Sequence, residues 1–404
     1  MKRIARKYGA FVRQPDVARL LVVGLLSRMP IGMVGFAMLM FLRESLGNFT
    51  LAGTAVGINF ITMAACSPIQ GRLIDRHGPR RLLLVTGIVQ PLSLAGVLIA
   101  ASTASPFWLV ALFAGLAGVF ASPITTITRT MWRTRFDREE DRRTAFALDS
   151  VTIELNFTLG PAIVAGVLAF WGARAAFALS IVVVACSAAI YILSGVLSLF
   201  QQVTGGERHL LGPLTEPRLW LVFIATFGLT VCFGFLEVGY PAYATFLSTP
   251  SLAGMLLAIN AVGSAIGGGL YGGLQFRPPV ERQFAFAMGL MAVPLALHAL
   301  VLQPVAVFAV VAFFAGALIA PTITAQSVLV SRLAPARYAT EAFTWSSTFI
   351  VSGIGVGMAV GGAMVESVGL RPTFATGAAI MAAMAIGTLA LLPPEVPEGA
   401  RAND

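Results

Sequence analysis

Three ionisable side chains stand inside long apolar stretches: Arg28 in LLSRMPIGM, Glu154 in IELNFTLG and Glu237 in GFLEVGYPA. A carboxyl group in such a setting trades its proton when its surroundings change. Desolvation favours the neutral acid, and a nearby guanidinium favours the anion. The residue types therefore point to proton exchange in an apolar medium, with Glu154 or Glu237 as carrier and Arg28 as the tuning group. The economical arrangement pairs Arg28 with Glu154, and Gly24, Gly32 and Gly35 leave room on the Arg28 side. The alternative is a static pair that only fixes packing. Asp149 is expected nearer the end of its stretch, as a partner for Arg129, Arg133 or the charges around Asp75.

Uncharged polar groups form a second tier: Asn59, Thr125, Thr126, Thr128, Asn156, Tyr240, Tyr243, Asn260, Thr322, Thr324, Gln326 and Trp345. These are cavity candidates, although hydroxyls in helices often bond back to their own turn. Cys66, Cys186 and Cys232 all lie in apolar runs and read as small buried hydrophobes. His77, His209 and His298 are scattered, and the sequence holds no CxxC, His-x-Glu or Walker-type phosphate loop. The expectation is no catalytic residue, no metal and no cofactor; the chain is not expected to be an enzyme.

The elements that hold these groups follow from composition. The 404 residues are 57% hydrophobic and 11% charged, with mean hydropathy +0.85. A soluble domain carries about 25% charged residues. Crossing hydrocarbon takes about 20 apolar residues as helix, and lipid leaves only helices or closed barrels. The runs are too long and too uniformly apolar for barrel strands. Twelve helical spans result: 17–42, 50–70, 82–101, 106–131, 144–170, 173–199, 218–246, 251–275, 281–301, 304–331, 339–367 and 372–392. They leave no room for a soluble catalytic domain.

The net charge of +9 is distributed unevenly. Of 27 Lys and Arg, only Arg43, Arg174 and Arg371 fall in odd-numbered connections or within three residues of them, and Arg28 is deep inside span 1. The remaining 23 lie in the N-terminal tail, the even-numbered connections or the C-terminal tail, or within three residues of these. That is the positive-inside pattern, with both termini cytoplasmic. It accounts for the basic pI without nucleic acid as a partner, since no soluble basic module exists.

The chain also repeats. Residues 51–73 (LAGTAVGINFITMAACSPIQGRL) and 252–274 (LAGMLLAINAVGSAIGGGLYGGL) share eight of 23 positions at a constant offset of 201, including Asn59/Asn260. FAGLAGVFASPITT (113–126) is echoed by FAGALIAPTIT (314–324). Spans 2 and 4 thus correspond to spans 8 and 10. Residues 1–199 form one six-helix bundle, 200–217 a cytoplasmic linker, 218–392 a second bundle and 393–404 a tail. Parallel repeats of this kind leave a cavity between halves.

Between spans 2 and 3 lies GRLIDRHGPRR (71–81), with five charged side chains and a histidine in eleven positions. Gly71, Leu73, Asp75, Arg76, Gly78, Arg80 and Arg81 match the G-x-L-x-D-R-x-G-R/K-R/K motif, with Pro79 at one basic position. On this motif and the duplicated twelve-span architecture, the whole chain resembles the major facilitator superfamily of secondary transporters. The resemblance implies that Asp75 meets the start of span 11, whose N-terminus carries partial positive charge, while Arg76 and Arg80 brace it as a cytoplasmic gate. GGLQFRPP, the second-half equivalent, has Phe276 in place of Asp75, so the gate is one-sided. Gly160-Pro161 of span 5 partly resembles the G-x-x-x-G-P-x-x-G-G motif of proton-coupled exporters.

Span 8 carries Gly263, Gly267, Gly268, Gly269, Gly272 and Gly273, and span 11 carries Gly353, Gly357 and Gly361. In the resembled fold these spans form the contact between halves, so the glycines are expected on a surface that repacks. The function implied is alternating-access transport of a small molecule by proton-coupled efflux across a bacterial cytoplasmic membrane, by a likewise implied monomer. The alternatives are a proton symporter importing a small organic metabolite, with Arg28 on its carboxylate, and, more remotely, a non-transporting membrane enzyme or sensor.

Overall fold

A computed structural model describes residues 13–136, 139–200, 215–273, 278–334 and 339–393. The linker core, His209 and Phe276, the C-terminal tail and the residues just before Ala339 lie outside them. The side chains of Asp75, Arg133 and Glu154 are also outside the description.

The described residues are helical throughout, as the sequence requires. In order they form α1 (Pro15–Ser27), α2 (Pro30–Leu46), α3 (Phe49–His77), α4 (Pro79–Ser102), α5 (Phe107–Val119), α6 (Ile124–Arg135), α7 (Glu139–Leu193), α8 (Pro217–Phe246), α9 (Ser251–Gly273), α10 (Val280–Leu300), α11 (Val305–Ala317), α12 (Ile319–Leu333), α13 (Ala339–Ser367) and α14 (Leu370–Leu391). Among the described residues eleven stretches are long and apolar enough to cross a membrane. One of them, Val151–Leu193, runs 43 residues and breaks at Gly172, whose φ of 82° favours glycine. Dividing it gives the twelve spans of the sequence reading.

Two compact units result: residues 1–206 with Pro241–Ala258, and Glu207–Tyr240 with Ile259–Asp404. In the first, Val17, Leu20, Ile127, Met131, Trp132 and Tyr191 form a fully buried core near the ends of α1 and α6. Outward-facing apolar residues such as Leu92, Ile99, Phe170 and Leu193 remain exposed, as a lipid-facing surface requires.

Two boundaries differ from expectation. The 71–81 segment is not a loop: α3 continues to His77 and α4 starts at Pro79. Gly78 alone makes the turn, at φ 76°. Proline suits the first helical position, where its missing N–H would be unbonded anyway, which explains the departure at Pro79. Spans 1, 4 and 10 are each broken mid-course, at Arg28–Met29, at Phe120–Pro123 and at Leu318.

The repeat holds in three dimensions with a shifted register. Asn59 Nδ2 donates to Ala114 O at 2.9 Å, and Asn260 Nδ2 donates to Ala312 O at 3.0 Å. A Cβ on Gly118 would collide with Asn59 O, and one on Gly316 with Asn260 O. Ala114/Ala312 and Gly118/Gly316 are thus mates, rather than the two FAG tripeptides. Phe120 and Leu318, the sites of the two breaks, share the same register.

The glycine stripes are also placed differently. Gly353 and Gly357 approach the backbone of α8 at Phe227 and Val231, while Gly263 and Gly267 approach Phe313 O and Ala317 O at α11. Each stripe packs helices within the second unit. Among the described glycines of α9 and α13, Gly254 in the first turn of α9 faces span 5, against Ala165 and Pro161 O.

Overpacking costs about 1–3 kcal/mol, so Gly118→Ala and Gly316→Ala should each lower the unfolding temperature of purified protein by several degrees. Gly166→Ala, where an added Cβ meets nothing within 4 Å, should leave it within a degree. Thermal unfolding in detergent reads both.

Candidate functional site

Pro30 lacks the N–H that would continue α1, so span 1 ends one helix and starts another at Arg28–Met29. Arg28 N–H still reaches Leu25 O at 3.3 Å, and Ser187 Oγ on span 6 donates to Ser27 O. The break thereby places the Arg28 guanidinium in the bundle interior, 1% exposed. Its Nε donates to Gly24 O at 2.9 Å and its Nη2 to Asp149 Oδ1 at 2.6 Å. Gly24 makes the room: a Cβ there would sit 2.7 Å from Nη2. Gly32 and Gly35 do not serve Arg28. A Cβ at Gly32 would strike Asn156 O, and one at Gly35 would sit 3.3 Å from the Phe60 ring.

Arg28 therefore pairs with Asp149, where the sequence reading gave it Glu154. Helix geometry explains the choice. Positions 149, 156 and 160 share one face of α7, and a step of five residues turns about 140° away. That face meets α2, where Gly32 lies against Asn156 O and Gly160. Asp149 is itself 1% exposed and also accepts from Trp132 Nε1 at 3.2 Å. Arg129 Nε stands 3.6 Å from Asp149 Oδ2, as one reading of Asp149 anticipated. Arg129 is half exposed, so Asp149 links a buried cation to an outer one. Both side-chain atoms of Asn156, and Arg28 Nη1, have no hydrogen-bond partner.

Beside the pair lies a cavity of about 120 Å³, lined in part by Arg28, Asn59, Phe60, Gln90, Ser122 and Thr125. The broken backbone of span 4 forms one wall. Its carbonyls at Val119 and Ala121 accept from Gln70 Nε2 at 2.9 and 3.0 Å, and Ser122 N–H donates to Gln90 Oε1 at 3.1 Å. Irregular backbone at membrane depth survives when protein groups satisfy it in this way. Thr126, the expected cavity residue, is exposed and faces away; its neighbour Thr125 lines the wall. Thr128 Oγ1 donates to Ile124 O, so Tyr191 OH supplies the proton of their 2.8 Å bond.

In the second unit Tyr240 OH accepts from Asn260 Nδ2 at 3.4 Å, and Gln326 Nε2 donates to Ser346 Oγ at 2.8 Å. Trp345 lies 6.5 Å from Phe349, ring to ring. Glu237 is half buried in α8, one turn before Tyr240. The gate residues Gly71, Asp75 and Arg76 lie on α3, while Gly78, Arg80 and Arg81 open α4; Arg76, Arg80 and Arg81 are exposed.

Sequence reasoning missed Trp132, Tyr191, Gln70, Gln90, Ser187 and His298. His298 is fully buried, with ring centroids of Phe308, Phe374 and Tyr240 at 4.4, 5.1 and 5.5 Å. Its Nδ1–H donates to Pro294 O at 2.8 Å. The seven-residue spacing of Asp149 and Asn156 was the available signal for the pair.

Removing one partner of a buried ion pair strands the other charge, at about 3–5 kcal/mol. Arg28→Gln and Asp149→Asn should each destabilise by roughly that much, and the double variant by clearly less than their sum. A double-mutant cycle on thermal unfolding checks this.

A family model described as Major Facilitator Superfamily matches residues 20–300 and 222–404. The crystal structure of a point mutant of the nucleoside transporter NupG is similar over 93% of this chain and 100% of that one. Its TM-score is 0.76 at 13% identity, which establishes a shared fold. No curated protein sequence matches. With the family model covering the described spans and the fold agreeing, the chain belongs to the Major Facilitator Superfamily of secondary transporters.

Proposed function

We propose that the protein is a proton-coupled exporter of a small molecule, working by alternating access in a bacterial cytoplasmic membrane with both termini in the cytoplasm. Residues 1–199 and 218–392 act as its two halves, joined by the 200–217 linker. The observation that carries the reading is the buried Arg28–Asp149 pair at the broken point of span 1, beside a cavity. Intramembrane charges of this kind mark ion and substrate pathways. Asp149, held by two arginines and Trp132, joins Glu237 and Glu154 as a proton-carrying candidate. Export is supported by Gly160-Pro161, which sits at the close contacts of span 5 with Gly32 and Gly254. The 71–81 hinge at Gly78 acts as the cytoplasmic gate.

Import by proton symport is the second reading, favoured by a cavity whose lining carries one positive charge, at Arg28. Everted vesicles acidified inside separate the two. Under export, a transported compound added outside collapses the pH gradient, read as recovery of acridine-dye fluorescence. Glu237→Gln should slow that collapse at least tenfold if Glu237 carries the proton. No collapse, with gradient-driven uptake into right-side-out vesicles, would establish symport instead.

A further inference from the structure

Around Asp149, Arg28 is buried against Oδ1, while the half-exposed Arg129 stands 3.6 Å from Oδ2, which has no hydrogen-bond partner. Asp149 meets Arg28 through Nη2 alone, and Nη1 of that buried guanidinium has no hydrogen-bond partner. An unpaired buried donor on a charged group is costly, and Arg28 carries the only charge on the lining of the cavity among the described residues. Gln90 lines the same cavity. Ser122 N–H fixes the Gln90 amide through Oε1, so the Nε2 end of Gln90 is left to donate. The rest of the wall includes Phe60, Met63, Val34 and Ile31. The volume, about 120 Å³, holds several waters or a compact organic molecule.

We infer that this cavity seats a compact organic monocarboxylate with an apolar body, its carboxylate accepting from Arg28 Nη1 and Gln90 Nε2. Asp149 is the internal counter-anion that holds Nη2 and aims the fork. A guanidinium serves two carboxylates at once because its donors point along separate edges. Arg129 takes up the share of Asp149 that Arg28 gives away when the ligand arrives. The inference rests on the transporter reading only in taking this cavity as the seat of the transported molecule.

Isothermal titration calorimetry on the purified full-length protein tests it with two matched pairs: benzoate against benzamide, and hexanoate against hexanamide. Each acid should bind at least tenfold tighter than its amide. Asp149→Asn, which frees Nη2, should tighten benzoate severalfold, an effect that a purely structural Arg28 would not produce. The double variant Arg28→Gln with Asp149→Asn leaves no stranded charge of the Arg28–Asp149 pair and should retain its fold, checked by thermal unfolding, yet lose benzoate. Equal affinity for acid and amide in both pairs, or benzoate binding that survives in the double variant, overturns the assignment. Proton-driven flux read in parallel keeps the two claims apart. Flux of a neutral compound without acid preference defeats only the anion seat, whereas acid binding without proton-linked flux defeats only the coupled-transport reading.

Discussion

The contact on which the first unit depends is the 2.6 Å ion pair between Arg28 and Asp149. Neither charge is tolerable alone at 1% exposure. Desolvation of a buried pair costs as much as its Coulomb attraction returns unless further hydrogen bonds complete it. Here the surroundings supply part of them: Gly24 O takes Nε and Trp132 Nε1 gives to the carboxylate, while Nη1 and Oδ2 have no hydrogen-bond partner. The pair consequently dictates residue choices on four elements. Span 1 must break at Pro30 to turn the guanidinium inward, Gly24 must lack a side chain, α6 must bring Trp132, and α7 must present Asp149.

A second constraint is that backbone interrupted at membrane depth needs partners. The chain meets it with side-chain amides and hydroxyls from neighbouring spans. Gln70 spans the break in span 4 with two bonds, Gln90 takes its first new N–H, and Ser187 covers Ser27 O. The groups that satisfy the breaks are in part those that line the cavity, so structural and ligand-facing roles are carried by the same residues. Gln90 is the clearest case: its Oε1 is committed to the backbone and the residue also lines the cavity.

How far these features could be read in the sequence differs by kind. Span number and the correspondence of spans 2 and 4 with 8 and 10 follow from hydropathy and identity, because membrane insertion depends on composition summed over about 20 residues. Partner choice depends on angle about a helix, where one position is about 100°; hence Arg28 meets Asp149 and not the expected Glu154, and of the neighbouring candidates Thr125 and Thr126 only Thr125 lines the cavity. The tripeptide FAG recurs at offset 201, yet the fold pairs Gly118 with Gly316, at which only a missing Cβ lets the Asn carbonyl approach. Identity of letters records descent, while close packing selects for size, and the two disagree by nearly one turn. Glycine stripes misled for the same reason: they report that some backbone is near, not which one.

The two halves share a scaffold and differ in chemistry at matching places. Asn59 and Asn260 make the same bond to the same kind of partner, and spans 4 and 10 break at the same point. Thr128, which receives Tyr191 OH, has Gln326 as its mate, and Gln326 is bonded to the neutral Ser346. The position equivalent to Arg28 at the repeat offset of 201 is Leu229, fully buried. The buried ion pair is in the first unit, and the second offers an aromatic box around His298 and the carboxylates of half-buried Glu237 and buried Glu281. An arginine at Leu229 would have no aspartate four spans along in register to receive it, since the mate of Asp149 falls among Ser347 and its neutral neighbours. The asymmetry is therefore built into several positions at once, and no single substitution would make the halves equivalent.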